Sequence, residues 1–570
     1  MGMYKTLIAD AVAIALTPLR YYQKDLVIGA DNAWASGAIN VLLVSPTGSG
    51  KTVTMGHITA HTEGAVCAIA HRQELVSQIS IALARNHIRH RIIGPDKVTR
   101  KIIRRHMQLF NSSYVDPNAK CAVAGVDTLV RRDKELSHWL PTVKLWVIDE
   151  AHHVIRDNKW GKACQMFPNA RGLGVTATPS RADGYGLGRH ADGVFDVMVL
   201  GPTMRDLIDQ GFLTDYRIFA PPSTLKRDEI HVSKTTGDFN ENEVRKVVAA
   251  SSLVVPEEKQ VIGDVVKTYL KLVPGKRAIT FAPDVATGIK LAEQFNAAGV
   301  PAICLSGKSE DDERFNAMDR FERGEILQLI NSELFDEGLD IPCIEVVQDA
   351  YPTESYGRFV QRFGRMLRLL EGKTHGIYID HVGNVARHGL PDAPREWSLD
   401  RRERRSSGKT DAIPVRTCLN PECVSVYERY LNACPYCGTP IPPPAERSGP
   451  ELVDGDLFEL DPAILEQLRK SVAKVDMSAQ DYRDELVRQG VPQIGVMANV
   501  KRHIARQETI GQLRETMAWW AGHQRAKGLS DSEIFKLFFM RYGIDWLSAQ
   551  KLKRDDALSL MEKLTWKGKV

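Results

Sequence analysis

The chain has 570 residues, 43% of them hydrophobic and 26% charged, which at roughly 150 residues per folding unit makes about four units with real cores. That composition excludes a disordered tail, a collagen and a coiled coil, and no run nears the ~18 apolar residues of a membrane span. The net charge of +4 singles out no partner.

Taken in chain order, Leu7 to Leu16 is apolar but broken by Asp10 and lacks a cleavage context, so no signal peptide is expected. Met1-Gly2 with Thr6 fits the loose myristoylation pattern, and without a second lipid or polybasic signal it reads as chance. Ile39 to Val44 is a short β-branched run, a predicted strand. Ser45-Pro46-Thr47-Gly48-Ser49-Gly50-Lys51-Thr52 follows at once and leads into a segment able to continue as helix. Glycines there let the backbone N–H groups of Thr47 to Gly50 cradle phosphates, and the helix N-terminus adds positive potential. Lys51 is expected to reach the β and γ phosphates of ATP, and Thr52 to ligate Mg²⁺. Between residues 81 and 110, Arg85, Arg89, Arg91, Lys97, Arg100, Lys101, Arg104 and Arg105 meet only Asp96 as an acid, which suits a solvated face or a phosphate-binding one. Leu145 to Ile148 is a buried-type strand ending in Asp149 and Glu150. Ligands of open α/β sheets sit at the carboxyl ends of strands. Asp149 is therefore expected to hold Mg²⁺, and Glu150 to orient and deprotonate the attacking water.

After Tyr216 a second α/β pattern begins without a phosphate loop of its own. It has predicted strands at 277–281 and 327–331 and an amphipathic helix at 286–295. The expected domains are thus 1–216 and 217–395. Arg365 and Arg368 stand three apart, on one face of a predicted helix, and can point at one anion. A nucleotide held between the two domains would receive these arginines on its γ phosphate, an effect worth about 10³–10⁵ in rate.

In order and type these segments resemble the motifs of superfamily 2 helicases of the Asp-Glu-x-His type, over roughly residues 15 to 390. The resemblance implies two tandem RecA-like parallel-sheet domains and an ATP-driven motor on nucleic acid. It also implies roles. Gln23, in Leu19-Arg20-Tyr21-Tyr22-Gln23, would read the adenine edge, and Gly338 and Asp340 would touch the nucleotide. His71 and Arg72, in Ala70 to Leu75, and Thr128, in Gly125 to Leu129, would line the nucleic-acid path. His152, Thr176 and Thr178 of Thr176-Ala177-Thr178-Pro179, and Gln361 would couple hydrolysis to strand movement. Because the basic segment follows His71-Arg72, its Arg100, Lys101, Arg104 and Arg105 are expected beside that path. Asp380 to Gly389, with the cysteines downstream, narrows the likeness to bacterial and phage helicases similar to the RadD family. DNA, single-stranded or branched, is the expected substrate. An RNA helicase, a restriction-system motor subunit and an ATP-switched binding adaptor are the alternatives.

Residues 396–415, with Arg401-Arg402-Glu403-Arg404-Arg405, read as a basic linker. Of nine cysteines, five are scattered among apolar neighbours as reduced thiols would be, which points to a reducing cytosol, and the resemblance implies that of a bacterial or phage-infected cell. The others, Cys418, Cys423, Cys434 and Cys437, have the spacing of a closed, structural four-thiolate Zn²⁺ site in a ribbon at 416–440. Ile441 to Pro444 is a stiff connector. The region 451–570 is expected to be a separate helical domain, with helices at 464–472, 482–489, 510–523 and 530–541, the last opened by the capping pair Ser530 and Glu533. Its aromatics, Trp519 to Trp546, are expected to form a small helical core, with stacking of single-strand bases among Arg525, Lys527, Lys536 and Arg541 as the alternative. It is the expected docking region for replication or recombination proteins, and no membrane partner is expected.

Overall fold

The computed structural model describes residues 18–220, 230–233, 238–250, 265–307, 309–332, 341, 343–393, 395, 397–401, 413–441, 472–473, 475–488 and 493–565. The chain divides into two compact units, 1–410 and 411–570. Among the described residues no helix is long and apolar enough to cross a membrane.

The first unit opens with a sheet of β1 (Asn40–Val44), β2 (Ala65–Ala70), β3 (His90–Ile93), β4 (Cys121–Gly125), β5 (Val143–Asp149), β6 (Arg171–Thr176) and β7 (Val197–Leu200). Their order is β3-β4-β2-β5-β6-β1-β7, with every pairing parallel. Successive strand residues face opposite sides, so Val41 and Leu43 enter one core and Leu42 and Val44 the other. The first core is closed by α1 (Tyr21–Ala35), α2 (Lys51–His61), α3 (Gln73–Arg85) and α4 (Asp96–Phe110), through Leu26, Ile58, Ile79 and Ile102. The second is filled by Trp146, Trp160, Phe167 and Phe195. Both faces are covered, which is why these strands read as continuous apolar runs. Because β6 lies between β1 and β5, the phosphate loop, Asp149 and Thr176 emerge side by side.

A second parallel sheet follows, made of β8 (Asp215–Phe219), β9 (Ala278–Phe281), β10 (Ala302–Ser306), β11 (Gln328–Ser332), β12 (Val346–Asp349) and β13 (His375–Asp380), in the order β10-β11-β9-β12-β13-β8. Two sequence boundaries need correction. Asp215 and Tyr216, assigned to the first domain, pair with His375 and Gly376 in the second sheet. Residues 397–401 are not free linker but a strap lying back on the first domain. Trp397 and Leu399 pack on its core, Gly188 N donates to Leu399 O at 2.9 Å, and Arg401 Nε donates to Asp192 Oδ2 at 3.0 Å. Gly186 makes room for it, since a Cβ there would stand 2.7 Å from strap backbone. Apolar burial and an ion pair outweigh the basic composition that suggested a solvated linker. Residues 402–412 lie outside the described residues.

In the second unit β14 (Val415–Thr417) and β15 (Val426–Glu428) form an antiparallel pair. Helices span Ala479–Arg488, Gln493–Ala526, Asp531–Tyr542, Trp546–Ala549 and Arg554–Thr565. Ser530 and Glu533 form the expected capping box. The long helix runs well beyond the predicted 510–523, its earlier turns held by His503 Nε2 against Met477 O at 2.8 Å and by Gln507 Nε2 donating to Val475 O and Met477 O at 2.8 Å. Residues 464–471 of the first expected helix lie outside the described residues. Trp520 and Phe538 are buried in this core, whereas Trp519 and Phe535 are exposed. The ribbon and helices were expected to be separate, but Ile413 and Tyr430 pack on the helical core, and Lys536 Nζ donates to Asn432 Oδ1 at 3.2 Å.

Beneath α4 lies a buried polar chain. His90 Nδ1 faces the Ile88 carbonyl at 2.8 Å and must donate to it, so its Nε2 accepts the Ser80 hydroxyl at 2.6 Å. His106 Nδ1 accepts the Tyr114 N–H at 3.3 Å and its Nε2–H donates to Ser80 Oγ at 3.2 Å. Burial pushes His90 from 6.5 down to about 4. The folded form therefore releases a proton that the unfolded chain keeps between these values. The stability contributed by neutral His90 is full above about pH 6.5 and is lost as pH falls towards 4, by about 3 kcal/mol. Urea midpoints measured from pH 7 to 4 should fall across this window, and His90→Asn should flatten the decline.

Candidate functional site

The turn after β1 is held from inside and from α1. Ser45 Oγ donates to Ser49 Oγ at 2.7 Å. Gly48 and Gly50 have φ of +84°, a left-handed backbone that other side chains resist. Tyr22 Oη donates to Ser49 O at 2.8 Å, and Gln23 Nε2 to Ser49 O at 3.0 Å and Gly50 O at 3.3 Å. Gln23 Oε1 accepts Arg20 N at 2.9 Å. Both ends of the Gln23 amide, expected at an adenine edge, are thus engaged by backbone, and the side chain acts here as a brace for the loop. A Cβ on Gly50 would stand 2.5 Å from Gln23 Nε2, so glycine is required for that contact.

Asp149 and Glu150 are both buried at the end of β5. Glu150 has a left-handed φ of +51°, a strained conformation for a side chain with a Cβ. It turns the chain so that Glu150 N donates to Asp149 Oδ1 at 2.9 Å. Burial, and then the Glu150 charge, push the Asp149 carboxyl upward against the pull of Lys51. A divalent cation on Asp149 would supply the missing positive charge. The four expected coupling residues do meet. Gln361 Nε2, from the second domain, donates to Glu150 Oε2 at 3.1 Å. His152 Nδ1 lies 3.5 Å from the same oxygen and 3.1 Å from Thr176 Oγ1, which accepts Thr178 N at 3.2 Å.

Arg365 and Arg368 both line the cleft with Thr47, Lys51 and Glu150, but not as neighbours on a helix face. The helix Tyr356–Phe363 tightens into a 3₁₀ turn at Gly364–Leu367, and Arg368 follows in extended conformation. A cradle missed by sequence reading fixes this turn. Lys373 Nζ donates to Met366 O at 2.7 Å, Arg368 O at 2.6 Å and Ile344 O at 3.1 Å. Thr214 N donates to Leu367 O at 2.8 Å and its hydroxyl to Arg368 O at 3.0 Å. Just before Thr214, the Phe212 ring packs against Tyr22 at 5.3 Å, and Leu213 lies against Gly48. The link between the domains thus touches the α1 brace, the phosphate loop and the arginine turn. Neither Phe212, Leu213, Thr214 nor Lys373 belongs to a local pattern that would have marked it. Gly338 and Asp340 lie outside the described residues.

His71 and Thr128 follow neighbouring strands, β2 and β4. His71 sits against Trp160 at 5.0 Å, and His153 stacks on the same ring. Arg72 precedes α3 and is half-buried. The basic segment turns three of the four expected side chains to the cleft. Val98, Ile102 and His106 turn into the core, so Lys101, Arg104 and Arg105 line the nucleotide cleft itself; Arg100 is exposed and does not line it.

In the second unit, the Sγ atoms of Cys418, Cys423, Cys434 and Cys437 all lie within 4.8 Å of one another. Cys418–Cys437 and Cys423–Cys434 are 3.5 and 3.8 Å apart. Tetrahedral thiolates about 2.3 Å from zinc would be about 3.8 Å apart, so the cluster fits that ion. Gly438, with φ of +73°, makes the tight knuckle turn after Cys437.

Two parallel-sheet domains closing on a glycine-rich phosphate loop, with acids from one and arginines from the other, define a nucleotide-driven motor. The family model described as "Type III restriction enzyme, res subunit" matches residues 16–181, and "Helicase conserved C-terminal domain" matches 261–369. A Lactococcus phage "51.5 kDa protein" is 28% identical over 410 residues, covering 70% of this chain and 77% of its own. The "Putative ATP-dependent helicase IRC3" of Saccharomyces cerevisiae is 26% identical over 398 residues, covering 66% of this chain; the match spans only 53% of the yeast protein. A solved "ATP-dependent Type ISP restriction-modification enzyme LlaBIII bound to DNA" aligns at 17% identity with a TM-score of 0.45, covering 64% of this chain and 28% of that one, a likeness too low to speak for function. Residues 16–181 and 261–369 thus carry the two domains of an ATP-hydrolysing nucleic-acid helicase or translocase, domains that use ATP with Mg²⁺.

Gly364 of the second domain closely approaches the phosphate loop of the first: a Cβ there would stand 2.5 Å from Thr47 Cβ. Gly364→Ala should hold the domains apart. Its kcat for ATP should fall at least about tenfold, with KM moving less than about threefold. Steady-state kinetics at wild-type rate would show that hydrolysis does not need this approach.

Proposed function

We propose that the chain is an ATP-dependent DNA helicase or translocase of the RadD-like kind, acting on single-stranded or branched DNA in the cytoplasm of a bacterial or phage-infected cell. The observation that supports this best is the Gln361–Glu150 hydrogen bond between domains, continued through His152 to Thr176 and Thr178. A carboxylate that activates water and is also held by the opposite domain ties hydrolysis to domain movement.

In this reading the N–H groups of Thr47 to Gly50 cradle the phosphates and Lys51 contacts the β and γ oxygens. Thr52 and Asp149 hold Mg²⁺, whose charge, when bound, offsets that of the phosphates. Glu150 takes a proton from the attacking water. Arg365 and Arg368 stabilise the charge that spreads over the γ phosphoryl, held to their task by Lys373 and Thr214. Gln23 keeps the loop in shape, and adenine reading by its amide requires exchange of the brace. His71, Arg72 and Thr128 contact the DNA backbone. Cys418, Cys423, Cys434 and Cys437 bind one structural Zn²⁺, and the C-terminal unit is where replication or recombination proteins dock.

Lys51→Ala and Glu150→Gln should both abolish ATP turnover, but by different routes. Lys51→Ala also weakens nucleotide binding, whereas Glu150→Gln retains it, because only water activation is lost. Rates compared on single-stranded, duplex and branched DNA and on RNA test the substrate. Stimulation by RNA alone, or turnover within about twofold of wild type in either variant, would overturn the reading.

The purified, reduced chain should contain one zinc, measured by elemental analysis. Chelation should loosen the ribbon together with its Tyr430 packing while leaving ATP turnover in the first unit intact. A folded preparation without metal would remove zinc from the account.

A further inference from the structure

The cleft is larger on one side than the nucleotide motifs explain. Its cavity measures about 730 Å³ and is floored by Thr47, Gly48, Gly50, Lys51, Thr52, Asp149 and Glu150. Neither Gln23 nor Phe212, which mark the α1 end of the loop, lines it. The space instead runs past Arg365 along α3 and α4 to Arg314 of the second domain.

This extension is basic. Arg85 ends α3, and Lys101, Arg104 and Arg105 form one face of α4, fixed by the inward packing of Val98, Ile102 and His106. Among the described residues, the acids along it are Glu74, bound to Arg314 at 3.0 Å, and Glu322. Among the described residues neither Arg85 nor Arg104 has an ion-pair partner. A concave wall with this excess of cations raises the local concentration of a small oxyanion.

We propose that this annex is a second anion site, one that receives the inorganic phosphate released by hydrolysis. The inference rests on the ATPase reading above. In the reaction a water oxygen bonds to the γ phosphorus, the bond to the β–γ bridging oxygen breaks, and the water proton passes to Glu150. In-line displacement moves the product phosphate away from ADP. The annex cations line the same cavity as Glu150 and Arg365, so phosphate leaving those groups can reach them without quitting the cleft. The positive segment of α4 is thereby assigned to the product of the reaction and not to the nucleic-acid backbone.

The test is calorimetric titration of inorganic phosphate into the full chain loaded with ADP and Mg²⁺. It needs no turnover, so absence of ATPase activity in the wild type would count against the motor reading separately. Lys101→Ala/Arg104→Ala/Arg105→Ala should bind phosphate about tenfold more weakly, and the added phosphate that halves ATP turnover should rise in proportion. Arg104→Lys/Arg105→Lys, which preserves charge, should stay within about twofold of wild type for both. Absence of phosphate binding by the wild type, or equal binding by the alanine variant, would overturn the proposal. So would unchanged phosphate affinity combined with a flatter salt dependence of DNA binding, which would assign these cations to the polymer.

Discussion

Everything in the first unit converges on one buried carboxylate. Glu150 receives a hydrogen bond from the opposite domain, lies beside an imidazole that reaches Thr176, and follows an aspartate that burial makes reluctant to ionise. A charge in such a place is stable only if its surroundings complement it, and those surroundings come from two separately folded sheets. The site is therefore complete only when the domains are together, and the left-handed backbone at Glu150 is the local strain that this arrangement sustains.

The parts legible from sequence were those with short-range causes. The phosphate loop announces itself because a strand, two glycines and a lysine must follow one another, and β5 because an apolar run ending in two acids has few other meanings. The cysteine cluster is equally local. Gln361 and Glu150, by contrast, are 211 positions apart, and only the motif resemblance linked them. The Lys373 and Thr214 cradle had no motif at all. A lysine donating to three backbone carbonyls leaves no trace in the residues that accept, since carbonyls are present everywhere.

The differences between sequence expectation and structure have the same origin. The basic residues of α4 were placed by their nearness in sequence to His71-Arg72, yet the rotation of a helix is set by its apolar residues. Val98 and Ile102 decide where Lys101 and Arg105 point. The adenine role of Gln23 comes from the family resemblance alone, and the fold adds backbone partners for its amide that no local pattern announces. At 397–401, charge suggested solvent, but Trp397 and Leu399 had more apolar area to bury than a linker can leave exposed.

The strap has a mechanical meaning. The polypeptide passes from the first domain to the second at Leu213 and Thr214, and after β13 it returns to lie along Gly186 to Asp192. Two bodies joined by a single tether can tumble freely about it, whereas two attachment points leave chiefly rotation about the line between them. A door hung on two hinges opens along one arc and closes on the same latch each time. Here the latch is the approach of Gly364 to Thr47.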